Sequence, residues 1–351
     1  MSVSDVSLFS GKDFKVHKFG GTSVASAECF LRVASIIEHA IGVDDPTTNN
    51  NKNGNNGCPN LAIVASAMGG KPKTTDLLLS TVEAAAARDD GAVEMAMETI
   101  MDKHSTCLDE LFAELPEEKE RLLSLVSQDL TDIKDILKTV SLMKWKADRI
   151  SELVSGYGEL WSTQILAALL QMRSRKRELL LNNSSSQSNN SARIPDDNPV
   201  VEDDNDLAGE AKVTHEFVYV DARRVIILDE DAIQHGAVCW DISQAKLQDV
   251  YEEGIASVRP SSIIHLVMTG YVASNTHGVA TTLQRDGSDY SAAILGRLLQ
   301  ATEINIWTDV DGCLSADPRR VPGAYVIPDI SYNEASELSY FGAKVIHPKV
   351  R

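Results

Sequence analysis

Six short segments carry residue types suited to binding and reacting charged small molecules. In KFGGTSV (Lys18 to Val24), Gly20 and Gly21 let the backbone approach a phosphate closely, and Lys18 adds a cation on a flexible stem. The same layout also serves as an ordinary strand-to-helix turn, and it is not a Walker loop, whose lysine follows the glycines. SAMGGKPKTTD (Ser66 to Asp76) combines tight-turn glycines with Ser66, Thr74 and Thr75, hydroxyls that either cap a helix or bind polar ligand groups. SGYGEL places Glu159 after two glycines, as a carboxylate for a substrate ammonium or as a solvated charge on a helix face.

TTLQRDGSDYSAA (Thr281 to Ala293) turns at Asp286-Gly287 into a helix. Arg285 offers a planar fork for a carboxylate, while Ser288 and Asp289 stand at the helix start, a place that favours polar and anionic groups with or without chemistry. WTDVDGCLSADPR (Trp307 to Arg319) follows a strand, so Thr308 and Asp309 occupy a carboxyl-terminal strand end, where open parallel sheets bind ligands. The pair Asp309 and Asp311 lacks the spacing of a calcium loop. In SELSYFGAKVIHP, Lys344 is either a phosphate contact or a surface lysine.

These segments need a scaffold, and the apolar pattern supplies one. Strands are expected at Phe14 to Phe19, Leu61 to Ser66, Glu216 to Val220, Ser262 to Met268, Gly278 to Leu283 and Glu303 to Trp307. A helix is expected from Ala25 to Ile41, with Phe30, Val33, Ile37 and Ile41 at helical spacing. Thr75 to Ser174 reads as almost wholly helical, and Ser288 to Leu299 and Asn333 to Phe341 as further helices. Short apolar strands alternating with helices predict an α/β fold, a mostly parallel central sheet with helices on both faces. Residues 43–60 and 182–212, rich in Asn, Ser and acidic residues, are expected to be low-complexity insertions in one catalytic domain spanning 14–351, with 1–13 as a tail.

A formal charge of −18 argues against nucleic acid or an anionic membrane as partner, since both are bound through clustered Lys and Arg. No run of eighteen apolar residues exists, and Met1 to Phe14 has the layout of neither a secretory signal nor a transit peptide. A cytoplasmic setting is expected, or a plastid one if a transit peptide precedes this sequence. Five cysteines without paired spacing read as reduced thiols.

Taken together, KFGGTSV, TDVDG-x-x-SADPR and GAKV-x-HP resemble the aspartate kinases of the amino acid kinase superfamily, from Lys15 to the end apart from the two insertions. QRDGSDYSAA and SYFGAKVIHP look most like the kinase half of bifunctional aspartate kinase–homoserine dehydrogenases. The resemblance implies the family's three-layer sandwich. It implies phosphate contacts for Lys18, Gly20 and Gly21, an amino-acid pocket lined by Ser66 and Thr75, and an ammonium site at Glu159. It also implies a carboxylate grip by Arg285, a substrate contact for Ser288, and Asp289 close to the transferred phosphoryl group. Thr308, Asp309, Arg319, Lys344 and Val345 then fall at nucleotide contacts, and no residue is assigned as a direct metal ligand. Three positions depart from the family: Gln284 and Asp286 replace glycines, and Leu314 stands where a Tyr usually lies near the nucleotide.

The implied reaction is transfer of the γ-phosphoryl group of ATP·Mg²⁺ to the β-carboxylate of L-aspartate, giving 4-phospho-L-aspartate. This is the first step toward lysine, threonine, methionine and isoleucine. A carboxylate is already ionised at neutral pH, so no general base is needed and Asp289 reads as an orienter of Lys18 or the metal. Two other readings share the fold or the pocket: a superfamily kinase for another substrate, and a silent amino-acid-binding or regulatory subunit. Such kinases usually continue into regulatory modules and can form homo-oligomers; the sequence ends just after the His-Pro and is expected to lack those modules.

Overall fold

The structure, a computed structural model, describes residues 9, 12–42, 58–144, 148–188, 214–229, 237–259, 262–284 and 287–340. Five strands, β1 (Phe14–Phe19), β2 (Asn60–Ala65), β3 (Thr214–Val220), β5 (Ser262–Thr269) and β8 (Glu303–Trp307), form one sheet in the order β3-β5-β2-β1-β8. Every pairing in it is parallel. Alternate residues of each strand enter opposite cores. Phe14, Val16, Ala62, Val64, Leu266 and Met268 face one side, where α7 (Trp240–Ser257) and α8 (Gly287–Leu299) pack. Phe19, Leu61, Ile63, Ala65 and Val267 face the other, covered by α1 (Ala27–Ala40) and α6 (Tyr157–Ser188). Burial on both faces explains the near-continuous apolar runs and gives the expected three layers.

A third core, built from helices alone, joins α2 (Thr74–Ala87), α3 (Asp90–Leu111), α4 (Pro116–Met143) and α5 (Asp148–Ser155) around the buried Trp161 of α6. Proline at the start of α4 and the aspartate cap of α3, Asp89 accepting from the Ala92 N–H at 2.9 Å, fix where these helices begin. No described helix is long and apolar enough to cross a membrane.

Four expectations need correction. The strand expected at Gly278 to Leu283 is shorter, β7 (Ala280–Thr282), and lies outside the central sheet. It pairs antiparallel with β6 (Val272–Asn275), which pairs with β4 (Ile227–Leu228) in a second, three-stranded sheet. The first helix begins at Ala27, because Gly21–Val24 forms a 3-10 turn and Ser26 caps α1, accepting from the Cys29 N–H at 3.4 Å. Residues 182–188, expected as loop, continue α6, since extending a formed helix costs far less than nucleating one. Asn60, assigned to the first insertion, opens β2. The remainder of both insertions, 43–57 and 189–212, lies outside the described residues. The last helix among the described residues is α9 (Tyr332–Tyr340).

Candidate active site

The carboxyl-terminal ends of β1, β2 and β5 meet through backbone contacts that only glycine permits. Beyond β1, Gly21 accepts the Gly69 N–H at 2.8 Å, and a side chain on Gly21 would place Cβ 2.9 Å from the Ala67 carbonyl oxygen. A side chain on Gly69 would in turn drive into the Gly21 carbonyl. Beyond β5, Gly270 donates to Ala65 O at 2.8 Å, and Cβ there would lie 2.6 Å from Cβ of Ser288. The two glycine turns and the start of α8 therefore press together over the strand ends.

Lys18 lies on the sheet face shared with Phe14 and Val16, the face that α8 covers. It is only 8% exposed, and its Nζ approaches Asp289 in the first turn of α8 at 2.5 Å. A nearly buried ammonium needs such a partner, and the amino terminus of a helix favours the carboxylate. The Lys18 Nζ also lies beside Gly20, 3.7 Å from where a Cβ would stand. The cation is thus held at the mouth of the first glycine turn.

Glu159, in the first turn of α6, is 3% exposed, which excludes the solvated-face reading. Its carboxyl group accepts the backbone N–H groups of Ala67 and of Glu159 itself, yet Oε2 is buried with no partner. Burial pushes its pKa up to about 8, the two backbone donors opposing that only in part. Gly158 makes the close approach possible, since Cβ there would meet Cβ of Ala67 at 2.8 Å. Ser66 is fixed from both sides: its N–H donates to Phe19 O at 3.2 Å, and its carbonyl accepts the Ser162 hydroxyl at 2.6 Å.

The structure thus brings together Lys18, Gly20, Gly21, Ser66, Glu159, Ser288 and Asp289. Thr75 is half-buried at the start of α2, while the hydroxyl of its neighbour Thr74 is wholly buried and unpartnered. Thr308 and Asp309 follow β8 and lie close to Gly20, because the Trp307 carbonyl is 3.8 Å from the place of a Gly20 Cβ. Both are exposed and bonded to each other at 3.2 Å. Arg319 is not gathered in: its side chain is 89% exposed and pairs with Asp317. Leu314 bridges to Val326. Arg285, Asp286, Lys344 and Val345 lie outside the described residues.

Two contributors carried no sequence signal that would single them out. Lys103, one of many charges on a long helix, reaches the loop after β2. Tyr271 adopts φ +67, its N–H bonded to the Ser291 hydroxyl at 3.0 Å and its ring against Gly287, and so shapes the entry to α8.

The donor set fits magnesium carried on a nucleotide. Among the described residues no three His, Cys, Asp or Glu side chains are grouped to hold an ion, and magnesium characteristically takes one or two carboxylates plus substrate phosphates.

Comparison with known proteins agrees with this geometry. The Amino acid kinase family matches residues 13–351. The chain is similar to the chloroplastic bifunctional aspartokinase/homoserine dehydrogenase 2 of Arabidopsis thaliana, 30% identical over 347 residues, covering 99% of this chain and 30% of that protein. It is similar to the chloroplastic aspartokinase 2 of the same plant, 29% identical over 336 residues, covering 95% of this chain and 48% of the relative. Among solved structures it resembles E. coli aspartokinase III in complex with aspartate and ADP, with a TM-score of 0.66 and 25% identity, covering 96% of this chain and 58% of the other. The chain therefore spans well under two thirds of the proteins it matches. By sequence and by fold, it belongs to the amino acid kinase family.

Proposed function

We propose that this chain binds ATP·Mg²⁺ and L-aspartate over the ends of β1, β2 and β5 and phosphorylates the side-chain carboxylate of the amino acid. The observation that carries this reading is Glu159: a buried carboxyl group with one oxygen unpartnered, in the first turn of α6 and bonded to the loop that also touches the Gly21 turn. Buried polar atoms are ordinarily satisfied, and the chemistry that would satisfy this one is an ammonium donor such as the α-amino group of an amino acid. The relatives named aspartokinases, and the structure with aspartate and ADP, support aspartate as that amino acid.

In the reaction an oxygen of the β-carboxylate forms the new bond to the γ-phosphorus while the bond to the bridging β,γ-oxygen breaks, leaving ADP. Lys18 neutralises charge on the transferred group, and Asp289 fixes where the Lys18 ammonium stands. Glu159 anchors the ammonium end, so the carboxylate is aimed rather than merely bound. Magnesium, carried on the nucleotide, would supply further charge neutralisation. Arg285 completes this reading as the carboxylate grip, and Thr308, Asp309, Lys344 and Val345 as nucleotide contacts, without Arg319, which stands exposed on Asp317. The chloroplastic designation of the plant relatives supports a plastid setting, beside the cytoplasmic one.

The test is aspartate-dependent release of ADP, with the acyl phosphate trapped by hydroxylamine as a hydroxamate. Hydroxamate formed with aspartate and not with glutamate is the expected result. Hydroxamate formed equally with glutamate, or none with any amino acid, overturns the reading.

A further inference from the structure

Lys103 sits in α3, yet its ammonium leaves that helix for the loop between β2 and α2. Nζ donates to the carbonyl oxygens of Met68 at 3.4 Å, of Gly69, and of Pro72 at 2.9 Å. An ammonium has three protons, so three carbonyls from one loop use its whole capacity. The cost of drawing it partly out of water, which depresses its pKa, is met by main-chain acceptors rather than by a carboxylate.

The loop so held is the part of the site that joins its two ends. On its inner side the Ala67 N–H meets Glu159, the Gly69 N–H meets the Gly21 carbonyl at 2.8 Å, and the Met68 carbonyl receives the Thr74 N–H at 3.1 Å. Its outer side is exposed from Gly70 to Lys73, with Gly70 at φ +87, and Lys103 reaches across to it. A loop with an exposed tip and a left-handed glycine is free to open unless something restrains it from outside.

We propose that Lys103 is a positioning residue for the amino-acid subsite, pinning Gly69 to Pro72 so that Ser66, Ala67 and the first turn of α2 keep their places around Glu159. This inference rests on the reading of the site as an aspartate subsite. Lys103 touches neither end of the site itself; it acts through the loop. Its effect falls on the amino acid more than on the nucleotide, because the Gly20–Gly21 turn has its own closure, Ser23 N–H to Gly20 O at 2.9 Å.

The experiment measures aspartate and ADP binding by calorimetry for the wild type, Lys103→Met and Lys103→Arg, with amide exchange of residues 69–73. Lys103→Met should weaken aspartate binding roughly tenfold or more, the size expected for losing charged hydrogen bonds, with ADP binding changed less than about twofold. Lys103→Arg keeps the charge, but its planar fork cannot converge on three carbonyls, so it should restore part of the loss. Amide exchange in 69–73 should quicken in the same order. Unchanged aspartate affinity in either variant, or equal loss for aspartate and ADP, overturns the inference. Lys103→Arg alone decides the matter if the methionine variant does not fold. A wild type that fails to bind aspartate overturns the subsite reading, and this inference with it.

Discussion

Two buried charges stand over the same strand ends and are treated in opposite ways. At the phosphate end, Lys18 and Asp289 compensate each other at 2.5 Å, so the charge is preorganised before any ligand arrives. At the amino-acid end, Glu159 has backbone donors on one side and an orphaned oxygen on the other, so its charge is suppressed until a cation comes. A kinase that must align two anions gains from this asymmetry. On the proposed reading, the cation for phosphate is fixed in place, while the anion for an ammonium is uncovered only by its partner.

The asymmetry is broken most strongly through pH. Glu159 has a folded pKa of about 8 against an ordinary 4.5, so the folded state holds an extra proton between those values. Its contribution to stability is fully present below pH 4.5 and is lost as pH rises through 8, by on the order of 5 kcal/mol. Urea unfolding at intervals from pH 5 to 8 should show that decline in the wild type and lose it in Glu159→Gln. A parallel decline in both would remove the suppressed charge from the account.

The phosphate end breaks next. Lys18→Met leaves Asp289 without its cation and should cost about 3 kcal/mol of stability and more than about tenfold in turnover. Lys18→Met with Asp289→Asn should recover the stability, since two neutral groups need no compensation, and leave turnover low. Recovery of turnover in the double variant would contradict a phosphate-facing role for Lys18.

A buried histidine in the helical core should have the opposite pH sign. His104 is buried against Trp161, its Nδ1–H donating to Ile100 O at 2.7 Å and Nε2 left without a partner; burial pushes its pKa down to about 4, the bond to Ile100 opposing this in part. It contributes stability that is present above pH 6.5 and lost as pH falls through 4, about 3 kcal/mol in all. His104→Phe should flatten the acid arm of the same urea series and leave the alkaline arm to Glu159. An unchanged acid arm would shift that role to other groups, such as the neutral His215 and His265 pair joined at 2.9 Å.

The smallest effect sharpens the turn into α8. Gln284 stands at φ +65, where a glycine is at ease, and Gly287 N–H closes the turn on its carbonyl at 3.0 Å. Gln284→Gly should stabilise by ~1 kcal/mol or less, the relief of strain being partly offset by greater freedom when unfolded. Thermal unfolding would register it; a clear loss of stability would mean the glutamine side chain makes contacts that outweigh the strain.

How far the sequence alone reaches is set by the same physics. The inner strands of the parallel sheet were legible because both faces are buried, which favours apolar runs such as Leu61 to Ala65. β4 and β6 were not, since strands of two and four residues are set by long-range pairing rather than by pattern. The glycine motifs announced close backbone approaches, whereas the replacement of a family glycine by Gln284 did not by itself reveal the positive φ found there. Whether Glu159 faced water or the interior was undecidable from a helical repeat, and Lys103 looked like any lysine on an amphipathic helix. Those two answers required the loop from Ser66 to Thr75 to be placed.

Aspartate binding near pH 7, measured by calorimetry in buffers of different ionisation enthalpy, tests the suppressed charge directly. With a pKa of about 8, Glu159 is mostly protonated before binding, and an ammonium arriving at its orphaned oxygen should drive that proton off. The wild type should therefore release close to one proton per aspartate bound, and Glu159→Gln should bind far more weakly and release none. Binding without proton release in the wild type, or with the same release in Glu159→Gln, would contradict the assignment of Glu159 to the ammonium.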